Sequence, residues 1–211
     1  MQNVDLSYFG SIPFDHGVLI SMFDHYKAPN DKIYNLLKAG KIIKLKKGLY
    51  VVGENYRDKP LNNKIIANTL YGPSYVSMDT ALSYHGIIPE AVTTILSVTT
   101  KRSKNFNTSL GYFIYKYASK SYFPIGVSRF ESGKNEAFLM ATPEKALCDK
   151  IVFSKNLNLR SVKAVKDFLF EDLRCDEEEI AQLNINIIQN CSGVSKKQRT
   201  LSLLVNLIKK L

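Results

Sequence analysis

Residues 29–52 constrain the fold more than any other stretch, because they carry in order the punctuation of a short helix and of a tight hairpin. Pro29 suits a first helical position, where its missing N–H has no intrahelical partner, and Gly40 suits the residue just past a helix end. Between them Ile33, Leu36 and Leu37 recur at helical spacing and form the inward side, leaving Lys32, Asn35 and Lys38 largely towards solvent. Two short apolar runs follow around a turn centred on Gly48, carrying Lys41, Lys44, Lys46 and Lys47, and no acidic residue interrupts residues 38–47. A short helix leading into a lysine-rich hairpin is the pattern of a winged helix. Its helix would lie in a major groove and its hairpin cations would contact phosphate, which points to DNA binding.

Upstream, Leu19, Met22, Phe23 and Tyr26 share helical spacing, so residues 14–26 read as a first helix with Asp15 as its cap. Gly17 costs about 1 kcal/mol relative to Ala in a helix, so the start is expected to fray. The link at residues 27–29 is short enough to turn steeply into the second helix, giving a helix-turn-helix unit. Both helices need an apolar lid, and Ile42, Ile43, Leu45, Leu49 and Val51 on the hairpin are expected to supply it. Residues 53–60 are polar and end in Pro60, which places the domain boundary here. The expected division is a winged helix-turn-helix DNA-binding domain at residues 1–56 and a C-terminal α/β domain at residues 57–211.

In the second part, residues 61–70 read as a helix stopped by Gly72-Pro73, Tyr75-Val76 as a short strand, and Ser77 as the cap of a helix that stops at Gly86. After Pro89 the periodicity becomes extended: residues 93–100, 111–117, 125–130 and 137–140 are short, rich in β-branched or aromatic residues and divided by polar turns, with Ser132-Gly133 suggesting a hairpin. Helical signals return at Thr142 with Pro143 and Glu144, at Ser161, at Asp176 with Glu179 leading through Ile180, Leu183 and Ile187, and at Ser195 with Gln198. The fold class is therefore α+β (mixed α/β): a winged helix, then a small mixed or antiparallel sheet with flanking helices.

Charge sharpens the functional reading. A net charge of +10 in 211 residues, 45% of them hydrophobic, describes a globular chain suited to an acidic partner such as nucleic acid. Lys101, Arg102 and Lys104 form a second basic cluster, after a strand, that would hold phosphates or simply be solvated. Cys148, Cys175 and Cys191 are odd in number and widely spaced, and His16, His25 and His85 stand at no metal-ligand spacing, so reduced thiols, no metal and no cofactor are expected. Residues 1–11 lack the charged and apolar regions of a signal peptide and no apolar run spans a bilayer, so a cytoplasmic location without membrane contact is expected. There is no GxGxxG, Walker loop, GxSxG or HExxH. Glu144, Lys145 and Asp149, paired with Asp79, come nearest to a nuclease-like set. Glu144 already has a structural role at a helix N-terminus, and no enzyme is expected.

The segments Ile43-Lys44-Leu45-Lys46-Lys47-Gly48-Leu49-Tyr50, Tyr71-Gly72-Pro73-Ser74-Tyr75-Val76-Ser77, Ala81-Leu82-Ser83-Tyr84-His85-Gly86-Ile87-Ile88-Pro89-Glu90, Ser97-Val98-Thr99-Thr100-Lys101-Arg102 and Ala141-Thr142-Pro143-Glu144-Lys145-Ala146-Leu147-Cys148-Asp149-Lys150, in this order and spacing, resemble the AbiEi antitoxin family of bacterial abortive-infection systems. The resemblance covers roughly residues 14–155. It implies a two-domain antitoxin and transcriptional autorepressor that binds repeats in its own promoter. The implied counterpart is AbiEii, a nucleotidyltransferase-like toxin opposed in a type IV arrangement without a stable complex. Tyr75, Ser77, Pro89, Thr142, Pro143, Glu144 and Lys145 then mark the C-terminal domain without an assigned role. The alternatives are a nucleic-acid-processing enzyme with a winged-helix targeting module, a lone winged-helix regulator without a toxin, or an interaction scaffold.

Overall fold

The computed structural model describes residues 6–133 and 136–211; after a 3-10 turn at Ser7–Phe9 come strand β1 (Phe14–Asp15), helix α1 (His16–Met22), helix α2 (Pro29–Lys38) and the hairpin β2 (Ile42–Lys46) and β3 (Leu49–Val52). Residues 1–5, part of the stretch read above as lacking a signal peptide, lie outside the described residues. Asp15 caps α1 by accepting from Val18 N at 3.0 Å. Phe14, expected to be helical, instead pairs with Tyr50 in a three-stranded antiparallel sheet of order β1-β3-β2. Its ring is buried and stacks on Phe9, so tertiary packing overrides the helical spacing. Gly40 ends the α2 turn at φ +67, where a side chain would be strained. Gly53 N donates to Lys41 O at 2.8 Å, and a Cβ at position 53 would lie 1.9 Å from Gly40 O, so the helix end and hairpin end close only because glycine stands there.

All four residues of β3 are buried, and successive strand side chains point to opposite faces. Tyr50 and Val52, with Ile42 of β2, pack against Leu19, Phe23 and Ile33 of the helical side. Leu49 and Val51, with Leu45 of β2, join the larger core that continues through the rest of the chain. Ile43 packs against that larger core too. The expectation that the five hairpin residues cover the two helices is thus corrected: only Ile42 of the five does so, and the others face the second apolar cluster.

Beyond a 3-10 turn at Glu54–Tyr56, helix α3 (Asn63–Leu70), strand β4 (Ser74–Val76), helix α4 (Met78–Tyr84), and strands β5 (Ile95–Thr99), β6 (Lys104–Thr108), β7 (Gly111–Tyr117), β8 (Val127–Gly133) and β9 (Glu136–Ala141) follow. The strands form a six-stranded sheet of order β6-β7-β5-β4-β9-β8, in which β4 pairs antiparallel with β5 and parallel with β9. The sheet is mixed. Strand β6 was not expected: its Lys104, Asn105 and Asn107 lack an apolar alternation, which an edge strand tolerates. Ser132 and Gly133, expected at a turn, instead close β8, which pairs antiparallel with β9; residues 134–135 lie outside the described residues.

The chain closes with helices α5 (Pro143–Phe153), α6 (Val162–Asp167), α7 (Glu177–Ala181), α8 (Ile185–Val194) and α9 (Gln198–Ile208), with a widened helical turn at Phe168–Asp172 after α6. The single helix expected from Asp176 through Ile187 is divided, because Asn184 accepts from Asn186 N and opens a new helix. Among the described residues no helix is long and apolar enough to cross a membrane. Because Leu49 belongs to the large core, Leu49→Ala is expected to cost about 2–5 kcal/mol, the range for deleting buried methylenes. Urea unfolding should show that loss in one transition reported alike by α2 and by the six-stranded sheet, and a separate early transition of the N-terminal helices would contradict the shared strand.

Candidate nucleic-acid interface

Helix α2 turns Asn30, Asp31, Tyr34, Asn35 and Lys38 to solvent. Their offsets of one, four, five and eight residues place them on a single face. Asn35 and Lys38 stand where the sequence places them, and Lys32 does not. Its ammonium lies 4.4 Å from the centroid of the Tyr26 ring, half-buried, so it braces the turn between α1 and α2. Tyr34, 64% exposed, is a large aromatic on the open face that the inward-facing apolar pattern passes over. On the hairpin, Lys44 and Lys47 are exposed, and Lys41 Nζ lies 5.4 Å from the Tyr56 ring. Lys46 folds back, and its Nζ donates to Leu70 O, at the end of α3, at 2.5 Å.

The next residue, Tyr71, anchors the second basic cluster. Lys101 and Lys104 hold their ammonium groups 5.3 and 5.9 Å from its ring centroid, and its hydroxyl donates to Arg102 O at 3.2 Å. Lys104 also lies 4.9 Å from the Phe106 ring. The hairpin tip and the loop between β5 and β6 are therefore moored to two adjacent residues, Leu70 and Tyr71. Burial, and then the positive charges of Lys101 and Lys104, hold the Lys46 amine below its usual range. Lys101, Arg102 and Lys104 are all exposed, so cations from both segments share one surface whose mutual repulsion a bound polyanion would relieve.

Behind this surface the structure gathers three of the C-terminal motif residues around a charge. Lys145 and Asp149, one turn apart on α5, are both 0% exposed, with Nζ 3.3 Å from Oδ1. Asp149 Oδ2 accepts from the Ser77 hydroxyl at 2.6 Å and the Tyr75 hydroxyl at 3.0 Å. Lys145 Nζ donates to Tyr122 O at 3.0 Å and sits 3.2 Å from the centroid of the Tyr122 ring. Burial pushes the Asp149 carboxyl above its ordinary value against the pull of Lys145 and the hydroxyls, and burial with the Asp149 charge raises the Tyr75 phenol well above its own. Ser77 is thus no side-chain cap for α4; its hydroxyl is committed to Asp149.

The remaining motif residues have local work. Thr142 Oγ1 accepts from Lys145 N at 3.4 Å and caps α5, Pro143 is its first residue, and Glu144 Oε1 accepts from Asn184 N at 3.0 Å, tying α5 to the start of α8. Asp79 pairs with Lys150 at 2.7 Å. Lys145 and Asp149 thus pair with each other, Glu144 and Asp79 engage other partners, and the four do not converge on an open site. Among the described residues no group of three or more His, Cys, Asp or Glu is placed to hold a metal ion, and Cys148, Cys175 and Cys191 are buried free thiols.

No protein-family model matches the chain, and no curated protein matches it significantly.

Lys145→Met leaves a buried carboxylate unpaired and is expected to cost about 3–5 kcal/mol by chemical denaturation. The double variant Lys145→Met with Asp149→Asn should recover most of that loss, since an amide oxygen still accepts from Tyr75 and Ser77. The pH profile provides a second check. The folded chain keeps the Asp149 proton where the unfolded chain has released it, so above its ordinary value of 3.8 this group's contribution to stability falls as pH rises. Asp149→Asn removes that falling component.

Proposed function

We propose that the chain is a DNA-binding antitoxin and transcriptional autorepressor whose N-terminal segment acts as a winged helix. The observation that carries the DNA half is the meeting of the hairpin and the β5–β6 loop at Leu70 and Tyr71, which brings Lys46, on the same hairpin as the exposed Lys44 and Lys47, beside Lys101 and Lys104. On this reading the open face of α2 enters the major groove with Tyr34, Asn35 and Lys38, while hairpin and loop cations follow phosphate. The antitoxin half rests on the resemblance to the AbiEi family. Its counterpart would be a nucleotidyltransferase-like toxin acting without a stable complex, and a cytoplasmic, non-enzymatic role follows. The carboxylate and lysine that an enzymatic reading would use are sealed from solvent, which favours the binding reading.

Fluorescence anisotropy with a duplex from the chain's own upstream region tests the DNA half. Lys44→Ala with Lys47→Ala, and separately Lys101→Ala with Lys104→Ala, should each make the slope of log K against log salt shallower by up to about 1.8, near 0.9 per lost phosphate contact. Lys32→Ala should leave the slope unchanged, whereas Asn35→Ala should alter sequence preference. Binding that ignores salt, or is untouched by both double variants, removes the reading. For the antitoxin half, co-expression with a nucleotidyltransferase-like protein encoded alongside should restore growth that the toxin alone arrests.

A further inference from the structure

A cleft of about 680 Å³ opens between the segment after β7, the end of α5 and the link from α8 to α9. Small-molecule sites typically occupy roughly 300–1,000 Å³. Its walls include Tyr122, Val152, Phe153 and Val194. Val194 is 42% exposed and Tyr117, also on the lining, 55%, so large apolar groups are left wet in a concave place. The charge of the surroundings is one-sided. The stretches that build the cleft, residues 109–130, 150–166 and 180–211, contain no Asp or Glu, although the chain has 19 such residues. Lys196 is exposed on the lining. Lys197 Nζ donates to Ile151 O at 2.8 Å and Ser154 O at 3.1 Å, neutralising carbonyls at the end of α5 that would otherwise turn a negative helix terminus towards an incoming group. Tyr122, a wall of the cleft, rests on the buried Lys145 ammonium, whose charge Asp149 balances, so the cation available to a ligand is Lys196.

We propose that this cleft binds a small aromatic anion, its planar body against Phe153 and Val194 and its charged group towards Lys196. A phosphate chain would find the cations but gain nothing from the apolar walls, and a neutral ring would use only the walls. A compact ligand with both parts uses both. The cleft borders the basic loop, since Tyr117 N donates to Ser103 Oγ at 2.9 Å, but its test contains no nucleic acid, so it stands or falls independently of the DNA reading.

Calorimetric titration of the full chain with naphthalene-2-sulfonate is the direct test, with sulfate and 2-naphthalenemethanol as the two halves of the ligand. One-to-one binding is expected, each half binding at least tenfold more weakly than the whole. Lys196→Glu and Val194→Glu, both at exposed positions, should each weaken binding about tenfold by placing a negative charge at the mouth, and Lys196→Glu should do so without moving the thermal midpoint. Amide shifts on binding should centre on Val152, Phe153 and Val194. Equal affinity for the neutral ring or for sulfate alone, stoichiometry above one, or undiminished binding by both variants overturns the proposal.

Discussion

A lysine and an aspartate with no exposed surface lie at the centre of the larger part of this molecule, and much of the surrounding geometry serves them. Removing each ion from water costs several kcal/mol, which their mutual attraction offsets only when the remaining hydrogen-bonding capacity is met. Asp149 Oδ2 accepts from two hydroxyls, of Tyr75 on β4 and of Ser77 just beyond it, its Oδ1 faces the Lys145 ammonium, and Lys145 adds a carbonyl and a ring from Tyr122. Three segments distant in sequence are thereby held in one arrangement. Strand β4 lies between β5 and β9, so fixing α5 against β4 fixes it against the middle of the sheet. The adjacent Met78 is buried at φ 51, a left-handed conformation that costs a non-glycine residue about 1–3 kcal/mol. Its neighbour's bond to Asp149 is part of what holds it there.

The same logic of shared residues governs the hairpin. Because β3 sends Tyr50 and Val52 one way and Leu49 and Val51 the other, neither apolar cluster is complete without it. Lys46 adds a polar tie to the end of α3. The lysines at the hairpin tip are thus held relative to the β5–β6 loop by packing on one side and a hydrogen bond on the other. For a surface that would track regularly spaced phosphates, that rigidity lowers the ordering entropy a flexible basic tail would lose on binding.

Local signals made much of this legible and long-range ones did not. Pro29 and Gly40 bracket α2, and Thr142 and Asp176 cap α5 and α7, because caps and breakers act within one helical turn. Ser77 shows the limit. A serine before a helix reads as a cap, and only the fold reveals that its hydroxyl has an acceptor on a helix more than seventy residues away. Tyr122 carried no signal at all, since its task is defined by a lysine on another element. Lys32 was misplaced because helical spacing separates inward from outward residues but does not show Tyr26 waiting beside it. The basic loop was visible as charge, while its mooring on Tyr71 was not.

Charge is distributed along the chain in a way that bears on how a polyanion would approach. Of the 19 acidic residues, seven fall within residues 167–179, from the end of α6 through the widened turn to α7, while residues 38–47, 109–130, 150–166 and 180–211 have none. A net charge of +10 spread evenly would attract nucleic acid without orienting it. With seven carboxylates gathered in one short stretch and none in the hairpin or residues 91–130, the hairpin and its neighbouring loop are a source of positive potential, so that encounter with a polyanion would favour the face where Lys44, Lys47, Lys101 and Lys104 are exposed. On the proposed DNA-binding reading, orientation at the encounter stage would leave the open side of α2, with Tyr34 and Asn35, to contribute what charge cannot, which is discrimination between base pairs.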